Sequence, residues 1–310
     1  KFFTAQRDML TDDGTAGAPA SAAPALPDCA SSSSELLVVV LDARLGRARP
    51  AAQNLQEPVF PQVWQALRLF FEAHASLAAE QHLALFVAHA TCARLLVSGL
   101  CVQVMWEDAL RSIVDFMLEE GAADSEPLLG VALCQALCYV NRLRRTSHSQ
   151  LPARLLVLDH TLLETDFTLQ SSALVNATCA AQAGSVLIDY LALGPVSSML
   201  LRQTATLSGG TVYILPRDGQ PHQLADVLVP VLLFQFLPGV AVRKHMHATA
   251  DEQGEGGIIC VCHEEKHALA HVCSSCLAPY CSAAVPICGG CGTRFWPEAA
   301  RDLEISELHL

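Results

Sequence analysis

Basic residues are scarce in this sequence. It has 19 lysines and arginines against 31 aspartates and glutamates, a formal net charge of −12. Proteins hold DNA by displacing its counterions with lysine and arginine, so a chain this acidic is not expected to bind nucleic acid directly. Long apolar runs are missing too. The most apolar segment, Val227 to Val242, is interrupted by Pro230, Gln235 and Pro238. It falls short of the roughly 20 apolar residues that span a bilayer, so no membrane partner is expected and a buried helix is. There is no G-x-x-x-x-G-K-[ST] phosphate cradle and no G-x-S-x-G nucleophile elbow. Nothing assembles an acid–base or nucleophile set, so the expectation is no catalytic residue, no bound organic cofactor and no enzyme.

Cysteine, by contrast, is plentiful and unevenly placed. Of 13 cysteines, Cys29, Cys92, Cys101, Cys134, Cys138 and Cys179 are scattered, mostly within apolar runs, where reduced cysteine serves as a small buried hydrophobe. The other seven crowd between Cys260 and Cys291. An odd total, with pairs at metal-ligand spacing, points to a reducing compartment and zinc rather than a disulfide framework.

Short apolar runs alternate with helical patterns. Leu36–Leu41, Leu83–Ala88, Ala93–Val97, Arg154–Leu158, Val186–Leu191 and Thr211–Leu215 read as strands. Helices are expected over Val63–Ala79, Glu107–Glu119, Leu128–Leu143, Asp166–Ala183 and Val196–Leu207, with an interrupted one over Gln223–Leu237. Continuous apolar strands separated by helices predict an α/β fold, a doubly wound mostly parallel sheet covered on both faces, with a small C-terminal zinc-binding module attached. Residues 1–34 lack a continuous apolar core and are expected to be a poorly ordered leader. The α/β domain is placed at 35–237, a Gly- and charge-rich linker at 238–257, the zinc-finger module at 258–296 and a tail at 297–310.

Within the module, Cys273-x2-Cys276 and Cys288-x2-Cys291 form two knuckles. A C-x2-C turn brings two thiolates to one side of a tight loop, and two such turns complete a tetrahedral sulfur cage for Zn²⁺. Gly289 and Gly290 are expected to let the second knuckle turn. Cys260, Cys262, His263 and Cys281 can build a second zinc site; alternatively they are core thiols and a surface histidine, as His267 and His271 are read. From residue 251 onward nine acids face three bases, a net −6, which gives the module no footprint for DNA. Phe295 and Trp296 are expected to pack on the zinc loop rather than stand out as a binding anchor.

Doubly wound sheets bind ligands beyond the carboxyl ends of their strands. Asp42 and Asp159 end two strands there, and paired carboxylates can hold a hard cation such as Mg²⁺. Adhesive von Willebrand A domains do so with Asp-x-Ser-x-Ser. Here the segment is Asp42-Ala43-Arg44-Leu45-Gly46, with no hydroxyl and with a cation of its own. The two aspartates are therefore expected to pair with Arg44 or to cap a neighbouring helix.

An acidic von Willebrand A-like domain without metal serines, followed by C-x-C-H, C-x2-C-x4-C and P-x-C-x2-C, resembles the family of 34-kilodalton subunits of general transcription factor IIH (TFIIH). The matching segments are Leu36–Asp42, Ala181–Asp189, Leu207–Ile214, Phe236–Pro238 and Cys260 through Phe295. The resemblance implies a nuclear, non-enzymatic structural subunit that scaffolds the TFIIH core in RNA polymerase II transcription initiation and nucleotide excision repair. It implies partners among the other core subunits, chiefly the one with its own von Willebrand A domain and a RING-type zinc domain. It also matches Cys273, Cys276, Cys288 and Cys291 to the family's zinc finger. The competing readings are a ubiquitin-pathway protein (a ubiquitin-receptor scaffold or a RING-type ligase) and a metal-dependent adhesion module, which Arg44 and Gly46 disfavour.

Overall fold

The computed structural model describes residues 2–5, 34–46, 49–50, 55–56, 59–119, 126–147, 151–161, 168–194, 196–215, 224–243, 258–263, 265–267, 270–282, 284–289 and 291–295. Six strands form the main sheet: β1 (Leu36–Asp42), β2 (His82–Ala88), β3 (Ala93–Leu100), β4 (Ala153–Asp159), β5 (Leu187–Ala192) and β6 (Val212–Ile214). Their spatial order is β3-β2-β1-β4-β5-β6. All neighbours run parallel except β2 and β3, which pair antiparallel as a hairpin. Order 3-2-1-4-5-6 is that of a doubly wound sheet, and its switch point lies between β1 and β4.

Alternate residues of β1 explain the layering. Leu37, Val39 and Leu41 face one core with helices α1 (Phe60–Leu77) and α2 (Trp106–Met117). Leu36, Val38 and Val40 face the other with α3 (Leu129–Ser147), α4 (Ser171–Ala183) and α5 (Met199–Ser208). Because both faces are covered, β1 and β4 are buried throughout and read as unbroken apolar runs. On the first face, Phe71 stacks on Trp106 with ring centroids 5.2 Å apart. Helix α5 ends at Gly209 with φ +81, a left-handed cap that a side chain would strain.

The expected interrupted helix is α6 (Leu224–Val231), which carries Pro230 and continues as a π-helical turn, Leu232–Phe236. Among the described residues, no helix is long and apolar enough to cross a membrane.

Three local expectations need amending. The stretch read as linker from residue 238 opens with a short helix, α7 (Val240–Arg243), and Arg243 returns to β5, pairing with Asp189 at 2.7 Å. That ion pair joins Arg243 to a strand of the main sheet. The leader is not wholly irregular, because Phe2–Ala5 pairs antiparallel with Ala270–Cys273. Of the scattered cysteines, Cys101 is buried, but Cys138 and Cys179 are exposed on helices. Apolar neighbours in sequence do not fix which helix face a residue takes. Cys29, Gly290, Trp296, residues 244–257 and the tail lie outside the described residues.

Candidate functional site

At the switch point the structure shows what the strand-end aspartates do. Arg44, in the 3-10 turn Ala43–Gly46 that follows β1, lays its guanidinium between them. Its Nε and terminal nitrogen each lie 2.9 Å from Asp42 Oδ2, and the terminal nitrogen is 3.6 Å from Asp159 Oδ1. Asp42 also accepts the backbone N–H groups of Arg44 at 2.8 Å and His160 at 3.0 Å. Asp159 accepts from Tyr190 Oη at 2.7 Å and from the Thr161 hydroxyl. The place where a hard cation would sit between the carboxylates holds the protein's own cation. Titration with Mg²⁺ in the millimolar range is therefore expected to give no site-specific heat. A one-to-one isotherm lost on Asp42→Ala would contradict this.

Burial and the neighbouring Asp42 carboxylate push Asp159 up to about 7, against the pull of Thr161, Tyr190 and Arg44. In the unfolded chain an aspartate ionises near pH ~4. Between those values the folded state keeps a proton that the unfolded state has lost. The stability from this group is full below the lower value and is lost as pH rises through the higher one. Asp159→Asn keeps the acceptor oxygen and needs no proton. Its melting temperature is expected to exceed that of the parent at pH 8 and to converge with it by about pH 4, measured by calorimetry across pH.

The cysteine-rich module is built on short strands: β7 (Ile258–Ile259) with β8 (Lys266–His267), and β9 (Ala270–Cys273) with β10 (Pro279–Tyr280). Cys273, Cys276, Cys288 and Cys291 come together with all four sulfurs within 4.8 Å of one another, the first three buried. The two knuckles repeat one backbone pattern. Leu277 N–H donates to Cys273 C=O and Gly292 N–H to Cys288 C=O, both at 2.8 Å. Cys273 N–H donates to Ala278 C=O at 2.9 Å, and Cys288 N–H to Thr293 C=O at 2.8 Å. The residue after each second cysteine is left-handed, with φ +64 at Leu277 and φ +70 at Gly292. Glycine adopts that conformation without strain at Gly292, where the first knuckle has Leu277; Gly289 is not in that region.

Neighbouring groups support the sulfurs as acceptors. Tyr280 Oη lies 3.0 Å from Cys288 Sγ and itself accepts the Gly289 N–H at 2.7 Å. Ser275 N–H reaches Cys273 Sγ at 3.4 Å, and the Thr293 hydroxyl lies 3.0 Å from Cys291 Sγ. Burial pushes the Cys273 and Cys276 thiols up, whereas at Cys291 burial is outweighed by hydrogen bonds, chiefly from Thr293, which hold the thiol down to about 7. Such donors stabilise thiolate, the form that ligates a metal. Phe295 is buried beside Tyr280 and Cys273, as expected of a ring packed on the loop.

Leu277 carries the strain of a left-handed non-glycine residue. Together with Cys276 it borders a small gap lined by Val175 and Thr178 of α4 and Leu200 and Thr204 of α5. The first knuckle thus seats on the α/β domain. Sequence reasoning did not find this contact, since only three-dimensional proximity joins Leu277 to helices that end at Ala183 and Ser208.

Cys260, Cys262, His263 and Cys281 form a second group whose donor atoms lie within 4.8 Å of one another. Both groups of the module can hold a metal ion.

Comparison with known proteins places this geometry. A family model described as transcription factor Tfb4 matches residues 101–292. The general transcription factor IIH subunit 3 of Dictyostelium discoideum is 29% identical over 160 residues, 52% of this chain and 40% of that protein. The general transcription and DNA repair factor IIH subunit TFB4 of Arabidopsis thaliana is 29% identical over 184 residues, 57% of this chain and 56% of that protein. The chain thus spans about half the length of the curated relatives it matches. The crystal structure of the TFIIH p34 N-terminal domain superposes with a TM-score of 0.53 at 20% identity, covering 66% of this chain and 99% of that one; at that identity the match speaks to the fold.

Proposed function

This chain belongs to the transcription factor Tfb4 family, and on that premise we propose that it is a non-catalytic structural subunit of the TFIIH core. In this reading it scaffolds other subunits for RNA polymerase II transcription initiation and nucleotide excision repair in the nucleus. The observation that supports a scaffold over an enzyme is Arg44, which fills the switch point where a doubly wound sheet receives its ligand. The partner contacts run through protein surfaces, chiefly to the core subunit that carries a von Willebrand A domain and a RING-type zinc domain. Family membership favours this reading over the ubiquitin-pathway one.

The metal of the paired knuckles is zinc in this reading, held by Cys273, Cys276, Cys288 and Cys291. Four thiolates are soft donors, which suit zinc and not Mg²⁺ or Ca²⁺. A zinc–sulfur bond of about 2.3 Å at tetrahedral angles sets sulfurs about 3.8 Å apart. The observed Cys273–Cys291 and Cys276–Cys288 separations are 3.8 and 3.5 Å. The zinc is structural: all four donors are protein thiolates, which leaves no open position for a substrate.

The test is affinity capture of the tagged full chain from nuclear extract, with mass spectrometry of what it retains. TFIIH core subunits in stoichiometric yield are expected. Their absence, with ubiquitin-pathway proteins in their place, would favour the other reading.

A further inference from the structure

We propose that Cys260, Cys262, His263 and Cys281 bind a second zinc ion, and that the two sites are interleaved so that the module is cross-braced. The proposal extends the zinc reading of the paired knuckles and rests on it. Geometry comes first. Cys262 Sγ and Cys281 Sγ are 3.3 Å apart, Cys260 Sγ lies 3.9 Å from His263 Nδ1, and Cys281 Sγ lies 3.4 Å from the same nitrogen. A tetrahedral zinc with three sulfurs and one nitrogen sets sulfur–sulfur edges of about 3.8 Å and sulfur–nitrogen edges of about 3.6 Å. These edges fall within about 0.5 Å of the zinc tetrahedron, a looser fit than the 3.8 and 3.5 Å of the paired knuckles.

The alternatives account for less. A Cys262–Cys281 disulfide would need the sulfurs at about 2.05 Å, and it would leave Cys260 and His263 gathered for no reason. Hydrophobic packing gathers reduced cysteines where they are buried. Cys260 is buried, but Cys262 and His263 are exposed and Cys281 is only half-buried. Three thiols and an imidazole brought to one point at the surface, from both sides of the β9–β10 hairpin, gain little from burial. A shared ion supplies the missing attraction.

Chain order shows the interleaving. The second site takes donors at 260, 262 and 263; the paired knuckles take 273 and 276; the second site takes 281; the knuckles take 288 and 291. The segment joining the two halves of each site therefore passes through the other site. The hairpin β9–β10 links them rigidly, with Cys273 at the end of one strand and Cys281 just beyond the other. The two ions should differ in lability. The knuckle site has three buried donors, whereas the second site opens to solvent through Cys262 and His263, so a chelator reaches its ion first.

The experiment is metal analysis of the purified full chain by inductively coupled plasma mass spectrometry, with chromogenic-chelator release kinetics. Two zinc ions per chain are expected, half released in a fast phase. Cys262→Ser combined with His263→Ala should leave one ion and remove the fast phase. One zinc per chain in the parent, unchanged in the double variant, overturns the second site while leaving the knuckle reading intact. No zinc at all overturns both. Should the double variant fail to fold, Co²⁺ titration of the parent decides alone: thiolate-to-cobalt absorption should saturate at two equivalents, and saturation at one overturns the proposal.

Discussion

Cys288→Ser should empty the knuckle site and unfold residues 258–295, while the α/β domain keeps its own melting transition. The module's buried cluster is Cys273, Cys276, Ala278, Tyr280, Cys288 and Phe295, and half of these are ligands. The remaining apolar burial is worth only about 5 kcal/mol at roughly 1.5–3 kcal/mol per large side chain. A core this small does not fold without the roughly 10–16 kcal/mol that a structural zinc supplies. Hydrogen exchange with mass spectrometry separates the two regions. Loss of protection over 258–295, with protection retained over β1 to β5, is the expected pattern. Full protection of the module in the variant would mean that zinc is not what folds it.

Arg154→Met should destabilise the α/β domain by about 3–5 kcal/mol, the usual cost of breaking a buried ion pair by removing one partner. Arg154 lies on β4 with its side chain 1% exposed. Its Nε pairs with Glu35 at 3.0 Å, while its terminal nitrogens donate to the carbonyls of Phe236, Leu237 at 2.9 Å and Pro238 at 3.2 Å. These carbonyls end the π-helical turn and have no further helical turn to receive them. Arg243 shares two of these carbonyls, its Nε donating to Pro238 at 2.7 Å and a terminal nitrogen to Phe236 at 2.9 Å, so two guanidiniums tie the central sheet to this segment. Methionine keeps the volume but leaves Glu35 and three carbonyls without that donor. Arg154→Lys should lose less, because an ammonium keeps the charge but cannot fan across three carbonyls. Denaturant unfolding of the full chain, followed by the signal of the α/β domain, reads both. A loss below about 1 kcal/mol for the methionine variant would show that the network is dispensable.

These two sites also show where sequence reading stops. The strands were legible because burial on both faces leaves unbroken apolar runs such as Leu36–Leu41. The knuckles were legible because C-x2-C spacing is a local rule. Arg154, by contrast, reads as an ordinary residue at the start of an apolar run. Its carbonyl partners lie more than 80 residues on and Glu35 lies far earlier in the chain, and no local pattern announces them. Arg243 falls in a stretch whose glycine and charge read as linker, yet it closes on Asp189. The role of Arg44 was partly legible, since its place two residues after Asp42 put a cation where the metal-binding pattern wants a hydroxyl. The place of Leu277 against α4 and α5 was hidden because those helices lie far from it in sequence. The eight donors of the module sort into the same two groups in the sequence, but that the donors of each group meet at one point needed the structure.

The central claim is that this chain acts by holding a protein partner, not by touching DNA or turning over a substrate. Co-expression with the TFIIH subunit that carries the von Willebrand A and RING-type domains, followed by size-exclusion chromatography, tests it most directly. The net charge of −12 argues against DNA affinity, so a DNA titration of the single chain at physiological salt belongs beside it. The expected result is a one-to-one complex that survives the column, with only weak, salt-sensitive DNA binding by the chain alone. Separate elution of the two proteins, together with submicromolar DNA affinity of the single chain, would contradict the scaffold account.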